Sequence, residues 1–208
     1  MRKITTFFSL FFVAMCFSQQ YFVLPDRQDS VRLQSFAKIG TSLFDVYAGV
    51  ELYTVKNFTV NIETGLSVIG FKVHKKYDSY ENKRNTWRMN INDKDTGIYF
   101  VKSEFKWNYD FHKRHKSWKE TAENSSNYLA LQVKYFDGIS SNSSFYSKNS
   151  GPNNVIFTDF HWGMQREMGA NLVFYFFFGY GWMYDFQTRN GVIAPSLGFK
   201  LNFHIIEF

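Results

Sequence analysis

The sequence predicts an all-β fold, an eight-stranded antiparallel up-and-down transmembrane β-barrel, and three observations carry that prediction. First, the C-terminal third alternates residue by residue. Gly179 and Gly181 lie on the strand face opposite Phe178, Tyr180 and Trp182, and from 191 to 205 the set Ile193, Leu197, Phe199, Leu201, Phe203 and Ile205 alternates with Ser196, Gly198, Lys200, Asn202 and His204. Period two is the repeat of a strand. The apolar stretch from Leu172 to Phe186 is also shorter and more aromatic than a membrane-spanning helix, which needs about 20 apolar residues. Second, Phe, Tyr and Trp make up 21% of the chain while its mean hydropathy is −0.31. A lipid-facing aromatic band around a polar lumen, with polar loops, accounts for both values. Third, Met1 to about Ser18 reads as a secretory signal peptide: Arg2 and Lys3 are the charged start, Phe7 to Phe17 the apolar stretch, and a cut falls near Ser18-Gln19. Cys16 does not make a lipidation site, because Met15 stands where a small residue is required. With the signal removed, no cysteine remains for disulfide or thiol chemistry.

The expected organisation is a signal peptide (1–18), a short lead (19–30) and one barrel domain (31–208). Taken in order, the first strand spans roughly Arg32 to Thr41 and the second Val46 to Val55. The third, Phe58 to Ile69, sets Phe58, Val60, Ile62, Leu66 and Val68 against Thr59, Asn61, Glu63, Gly65 and Ser67. The fourth, Ile98 to Tyr109, turns Tyr99, Val101, Phe105, Trp107 and Tyr109 outward. The fifth, Tyr128 to Phe136, does the same with Leu129, Leu131, Val133 and Tyr135. The sixth, Val155 to Met168, sends Asp159, His161, Gln165 and Glu167 inward. The seventh and eighth are the two C-terminal stretches already described. Tyr53, Trp107, Tyr109, Trp182 and Tyr184 near strand ends suit interfacial girdles.

The connections support this count. Lys56-Asn57 and Gly169-Ala170-Asn171 have tight-turn chemistry. Long polar segments run from about Lys72 to Thr96 and from Gly138 to Asn154. In barrels of this kind the periplasmic turns are short and the extracellular loops long, so the two tight turns fall on the periplasmic side and the two long segments outside. The stretch from His112 to Asn127 is long for a periplasmic turn.

The run from Ser103 to Arg114, the strand start Asn124-Ser125-Ser126-Asn127-Tyr128, the strand His161-Trp162-Gly163-Met164-Gln165-Arg166 and the strand Gly179-Tyr180-Gly181-Trp182 occur in an order that resembles a family of small, uncharacterised outer-membrane barrel proteins of flavobacteria and related Bacteroidota. The similarity extends from about Thr41 to Phe203. The chain departs from the pattern at Phe177, where the family has a small residue, and it runs past the usual terminal Phe, to which Phe203 is equivalent. The resemblance implies an outer-membrane barrel and transfers no activity.

Inward positions carry Glu51, Glu63, Glu104, Asp159 and Glu167 with Lys38, Lys102, Lys106, Lys134 and Lys200, joined by His161 and His204. An eight-stranded barrel is only wide enough for side chains or one small ligand, and charges buried there must pair. The expectation is a self-neutralised, plugged lumen in a monomeric structural or interaction protein of a Gram-negative outer membrane. The alternatives are an enzyme acting on lipid A or phospholipid, and a narrow small-solute pore. An enzyme would need a nucleophile, a base and an orienting acid together, and neither histidine has a serine at a suitable spacing. No cofactor or metal is expected; His112 and His115 sit among too many lysines for a metal site.

The net charge of +6 and pI near 9.2 are modest, and export removes the chain from nucleic acid. Lys75, Lys76, Lys83, Arg84 and Arg88, in the first long segment, are candidates for contact with lipopolysaccharide phosphates. Expected partners are outer-membrane lipids, lipopolysaccharide and, during biogenesis, the barrel assembly machinery.

Overall fold

The computed structural model describes residues 32–77, 83–91, 98–117, 119, 121–137, 154–169 and 171–207, with 70–77 and 83–91 as backbone alone. The expected signal peptide, the lead and nearly all of the second long segment (138–153) lie outside these residues. The described residues hold ten strands: β1 (Phe36–Ser42), β2 (Asp45–Val55), β3 (Phe58–Ser67), β4 (Ile69–Tyr77), β5 (Lys83–Ile91), β6 (Ile98–Trp107), β7 (Ser126–Asp137), β8 (Val155–Gly169), β9 (Leu172–Asp185) and β10 (Asn190–Glu207). Eight of them close a barrel in the order β1-β10-β9-β8-β7-β6-β3-β2, every pair antiparallel, and β4 pairs only with β5. Closure leaves the barrel without a free sheet edge where its strands are matched in length.

Alternation is what makes these segments strands, and the burial pattern follows it. On β6 every second residue is buried (Ile98, Phe100, Lys102, Glu104, Lys106) and every intervening one exposed. The outer wall is therefore apolar. Ile62, Phe105, Leu131, Phe160, Phe178, Leu197 and Phe203 all point out of the barrel, and Tyr180 and Ile193 are more than two-thirds exposed, at 71% and 72%. Inside, a Cβ at Gly179 would strike the Phe160 carbonyl and the Cα and Cβ of His161, and one at Gly181 the Thr158 carbonyl and the Asp159 Cβ, so these two glycines let β8 and β9 approach closely. Phe177 is likewise matched to Gly198, whose missing side chain leaves space for the ring.

We call the rim formed by the β1–β2 turn, Ile98 and Val155 the upper rim, and that formed by Lys56-Asn57, Trp107 and Asn171 the lower rim. Lys56 and Asn171 have positive φ, 50° and 64°, as tight turns require. Both tight turns are on the lower rim, and both long segments leave from the upper one.

Three expectations are revised. The segment after β3 is a β4–β5 hairpin, not a loop. It leans from β3 across the upper mouth toward β9 and β10. The stretch 112–127 is not a simple solvated turn. It forms helix α1 (Phe111–Lys116), anchored by buried Phe111 and carrying its basic residues outside, and then a 3-10 turn (Ala122–Asn124) that enters the lower mouth. The first strand starts at Phe36, because Gln34 gives its backbone to that turn: its N–H donates to Asn124 Oδ1 at 2.8 Å, and its carbonyl accepts from Asn124 Nδ2 at 2.9 Å.

Candidate functional site

The inward positions assemble the charged residues into tiers. Low in the barrel, β1 supplies Lys38, β2 Glu51 and β6 Lys106. Lys106 Nζ lies 2.7 Å from Glu51 Oε1 and donates to Gln165 Oε1 at 2.9 Å; Lys38 Nζ lies 3.4 Å from Glu51 Oε2 and 2.5 Å from Asn61 Oδ1. Tyr175 and Asn124 also donate to Glu51, each at 3.4 Å. All three charged side chains are fully buried. Lys106 additionally lies over the rings of Tyr128 and Tyr175, at 5.2 and 5.3 Å from their centroids.

The middle tier is Glu63, Lys102, Glu104 and Lys200. Glu63 pairs with Lys102, with Lys38 at 3.3 Å and with Lys200 at 4.0 Å; Glu104 pairs with Lys200 at 3.6 Å and Lys102 at 3.9 Å. Desolvating so many charges is costly, and removal of one partner strands the others, which is why such a network is all-or-none.

His161 is held between two carboxylates: Nδ1 is 2.5 Å from Asp159 Oδ1 and Nε2 is 3.0 Å from Glu104 Oε1. With both ring nitrogens engaged by acceptors, neither is available to take a proton from a nucleophile. Its ring also packs against Phe177, centroids 4.8 Å apart. Gln132 Nε2 donates to the other Asp159 oxygen at 2.8 Å.

His204, at the lower end of β10, stacks on Phe36 with centroids 4.2 Å apart, and its Nδ1 meets the Glu123 carboxylate of the 3-10 turn. Glu123 and Asn124 both adopt left-handed backbone conformations, φ 51° and 57°. That is an unfavourable pair for non-glycine residues. Further hydrogen bonds hold it in place: Gln165 Nε2 donates to the Glu123 carbonyl at 2.6 Å, and the Glu167 N–H donates to Ser125 Oγ at 2.9 Å. Burial, with the Glu167, Glu207 and Glu51 carboxylates nearby, pushes the Glu123 carboxyl up to about 7.

Of the lumen residues expected from sequence, Lys38, Glu51, Glu63, Lys102, Glu104, Lys106, Asp159, His161, Lys200 and His204 are buried in the interior. Two differ in setting. Glu167 is only half-buried, at the lower rim beside the 3-10 turn. Lys134 is also half-buried, higher up, and pairs at 2.7 Å with Asp45, a residue the sequence did not single out. Asp45 begins its strand beside a turn, so alternation gave no reason to count it as lumen.

The basic candidates Lys75, Lys76, Lys83, Arg84 and Arg88 lie on the β4–β5 hairpin, with Lys76 in register with Arg84 and Lys72 with Arg88. Among the described residues no cluster of three or more His, Cys, Asp or Glu residues is suited to a metal ion, and no helix is long and apolar enough to cross a membrane. No family model, curated protein or solved structure matches this chain.

Proposed function

We propose that this chain is an integral outer-membrane β-barrel protein of a Gram-negative bacterium, akin to the small flavobacterial barrels, exported by its N-terminal signal peptide and acting as a structural or interaction protein with a plugged polar lumen. The single observation that carries this reading is the inverted polarity of the barrel. Large apolar side chains cover its outside, while lysines and carboxylates fill its inside. Water outside would leave that apolar belt unsatisfied; hydrocarbon outside satisfies it, and closure satisfies the backbone groups of the wall wherever two strands are paired. Trp107 and Tyr109 near the lower rim, where Tyr109 Oη accepts from Trp162 Nε1 at 2.9 Å, and Trp182 and Tyr184 near the upper rim, suit the two interfacial girdles.

The lower rim, with its tight turns, is then periplasmic, and the β4–β5 hairpin extracellular. The hairpin register sets Lys72 opposite Arg88 and Lys76 opposite Arg84, and like charges at opposed positions are destabilising unless an anion offsets them. Lipopolysaccharide phosphates supply such anions, and Lys75, Lys76, Lys83, Arg84 and Arg88 are the contact residues in this reading. The pore alternative is disfavoured by the fully buried Lys38–Glu51–Lys106 tier and by the 3-10 turn below it. The enzyme alternative is disfavoured by the double engagement of His161.

The test is heat-modifiability of the mature chain refolded in detergent. A folded barrel migrates differently before and after boiling on a denaturing gel. A chain that folds and stays in solution without detergent, with no shift on boiling, overturns the membrane reading.

A further inference from the structure

The upper half of the lumen is not filled like the lower half. A cavity of about 400 Å³ opens above the middle tier, within the size range of small-molecule sites. Its walls are apolar: Tyr47, Ile69, Phe100 and Phe136 on one side, Phe157 and Met183 on the other. Its floor is charged, with Lys102 and Lys200 set against Glu63, and the Lys134–Asp45 pair lies nearer the rim. Lys134 bridges the two zones, its Nζ 4.1 Å from the Phe100 ring centroid and 4.5 Å from that of Phe136. Gln132, 4% exposed and on the same floor, has an Oε1 with no hydrogen-bond partner among the described residues.

The cavity also reaches the outside through the wall. β1 ends at Ser42, opposite Lys200, while β10 continues upward to Asn190. From Phe199 to Asn190, β10 is paired with β9 on one side and with no barrel strand on the other. Pro195 lies in this stretch, where a residue without an N–H is tolerated because one side needs no donor. The same cavity is lined by inward residues of β10 (Ala194, Ser196, Gly198) and by the outward ones between and beyond them (Pro195, Leu197, Phe199), together with Leu43 and Phe44 of the β1–β2 turn. Lining by consecutive residues of β10, outward ones included, together with Leu43 and Phe44 fits a cavity that extends to the unpaired edge of β10.

We propose that this cavity binds a single-chain amphiphile with an anionic head group, its head on the lysine floor and its acyl chain in the aromatic cup, with the gap between the β1–β2 turn and Pro195–Phe199 as the route to the surrounding hydrocarbon. Among the described residues the lining holds three lysines and two carboxylates, with Glu104 behind Lys102 and Lys200; the lysine ammonium groups are donors that an anionic head group can engage and a cationic one cannot. The apolar walls select a chain over a small polar solute. The route rests on the membrane reading; the pocket does not.

The experiment is equilibrium binding of labelled hexadecanoate to nanodiscs with and without the refolded barrel. Hexadecanol and hexadecyltrimethylammonium are the neutral and cationic controls. The expected result is saturable binding of hexadecanoate to barrel-containing discs only, with both controls much weaker. Ala194→Phe and Met183→Trp fill the cup. They weaken binding by about tenfold or more, the effect of losing about 1.4 kcal/mol, while the heat-dependent gel shift stays intact. Displacement by hexadecanoate alone marks a free fatty acid as the ligand, and displacement by palmitoyl-lysophosphatidylglycerol as well marks a lipid-borne chain; either supports the proposal. Equal uptake by empty discs, equal binding of all three probes, or unchanged binding in folded cup-filled variants overturns it. If the protein folds in water instead, the same titration runs in buffer, so failure of the membrane reading and failure of the pocket are read separately.

Discussion

The lower and upper halves of one lumen are built on opposite principles. Below, Lys38, Glu51, Asn61, Lys106 and Gln165 interlock with full burial, and the 3-10 turn closes the end. Above, aromatic walls surround open volume, and the wall itself is incomplete beside β10. The same strands supply both halves: β6 carries Phe100 in the cup and Lys106 in the network, three inward positions apart. The difference teaches that the barrel's stability and its capacity to bind are separable along its axis. A change in the lower half breaks a cooperative charge network; a change in the upper half alters space.

That contrast is testable in steps. The largest effect is expected from Glu51→Leu, which leaves Lys38 and Lys106 without their shared carboxylate. A loss of about 3–5 kcal/mol is expected for breaking a buried pair, read as a lower urea midpoint in detergent or failure to refold. A smaller loss, about 1–3 kcal/mol, is expected from Gly179→Ala, whose methyl collides with the Phe160 carbonyl and with His161 on the neighbouring strand; the same titration measures it.

Next comes pH. The Glu123 carboxyl is raised from its usual 4.5 to about 7 in the folded protein. Between those values the native state holds a proton that the unfolded chain releases. This contribution to stability is complete below about pH 4.5 and is lost as pH rises through about 7. Glu123→Gln is expected to make the unfolding midpoint fall less, or rise more, with pH across that window than in the parent; an unchanged slope contradicts the assignment. The smallest effect is expected from Ala194→Phe, which adds a side chain where there is room. A stability change within about 0.5 kcal/mol is expected, and a loss as large as that of Gly179→Ala contradicts an open upper lumen.

Much of the wall was legible in the sequence. Alternation on the segments now seen as β3, β6, β8, β9 and β10 separates inward from outward residues, because a strand has no other way to present them. The contents of the lumen were harder. Alternation identified Phe100, Phe136, Phe157 and Met183 as inward only by default, since their outward neighbours are apolar too, and a cup requires knowing that they converge. The Asp45–Lys134 pair joins residues far apart in sequence, across a closed barrel whose register is set by every strand between them. The stretch 112–127 misled because its basic first half does face solvent; among the described residues its later part, Glu123 to Ser126, turns in, through left-handed conformations at Glu123 and Asn124 that nothing in a charged residue such as Glu123 announces. The β4–β5 hairpin was missed because its cationic composition reads as loop.

The most direct test of the central claim, an apolar outside around a charged inside, is quenching of tryptophan fluorescence in reconstituted vesicles. Single-tryptophan variants retaining Trp107 or Trp182, which sit on the outer wall toward opposite rims, are compared with brominated lipids and with iodide as quenchers. Strong quenching of both by bromines carried on the acyl chains and little by iodide is expected. Strong quenching by iodide with none by brominated lipid would contradict it, because the belt would then face water.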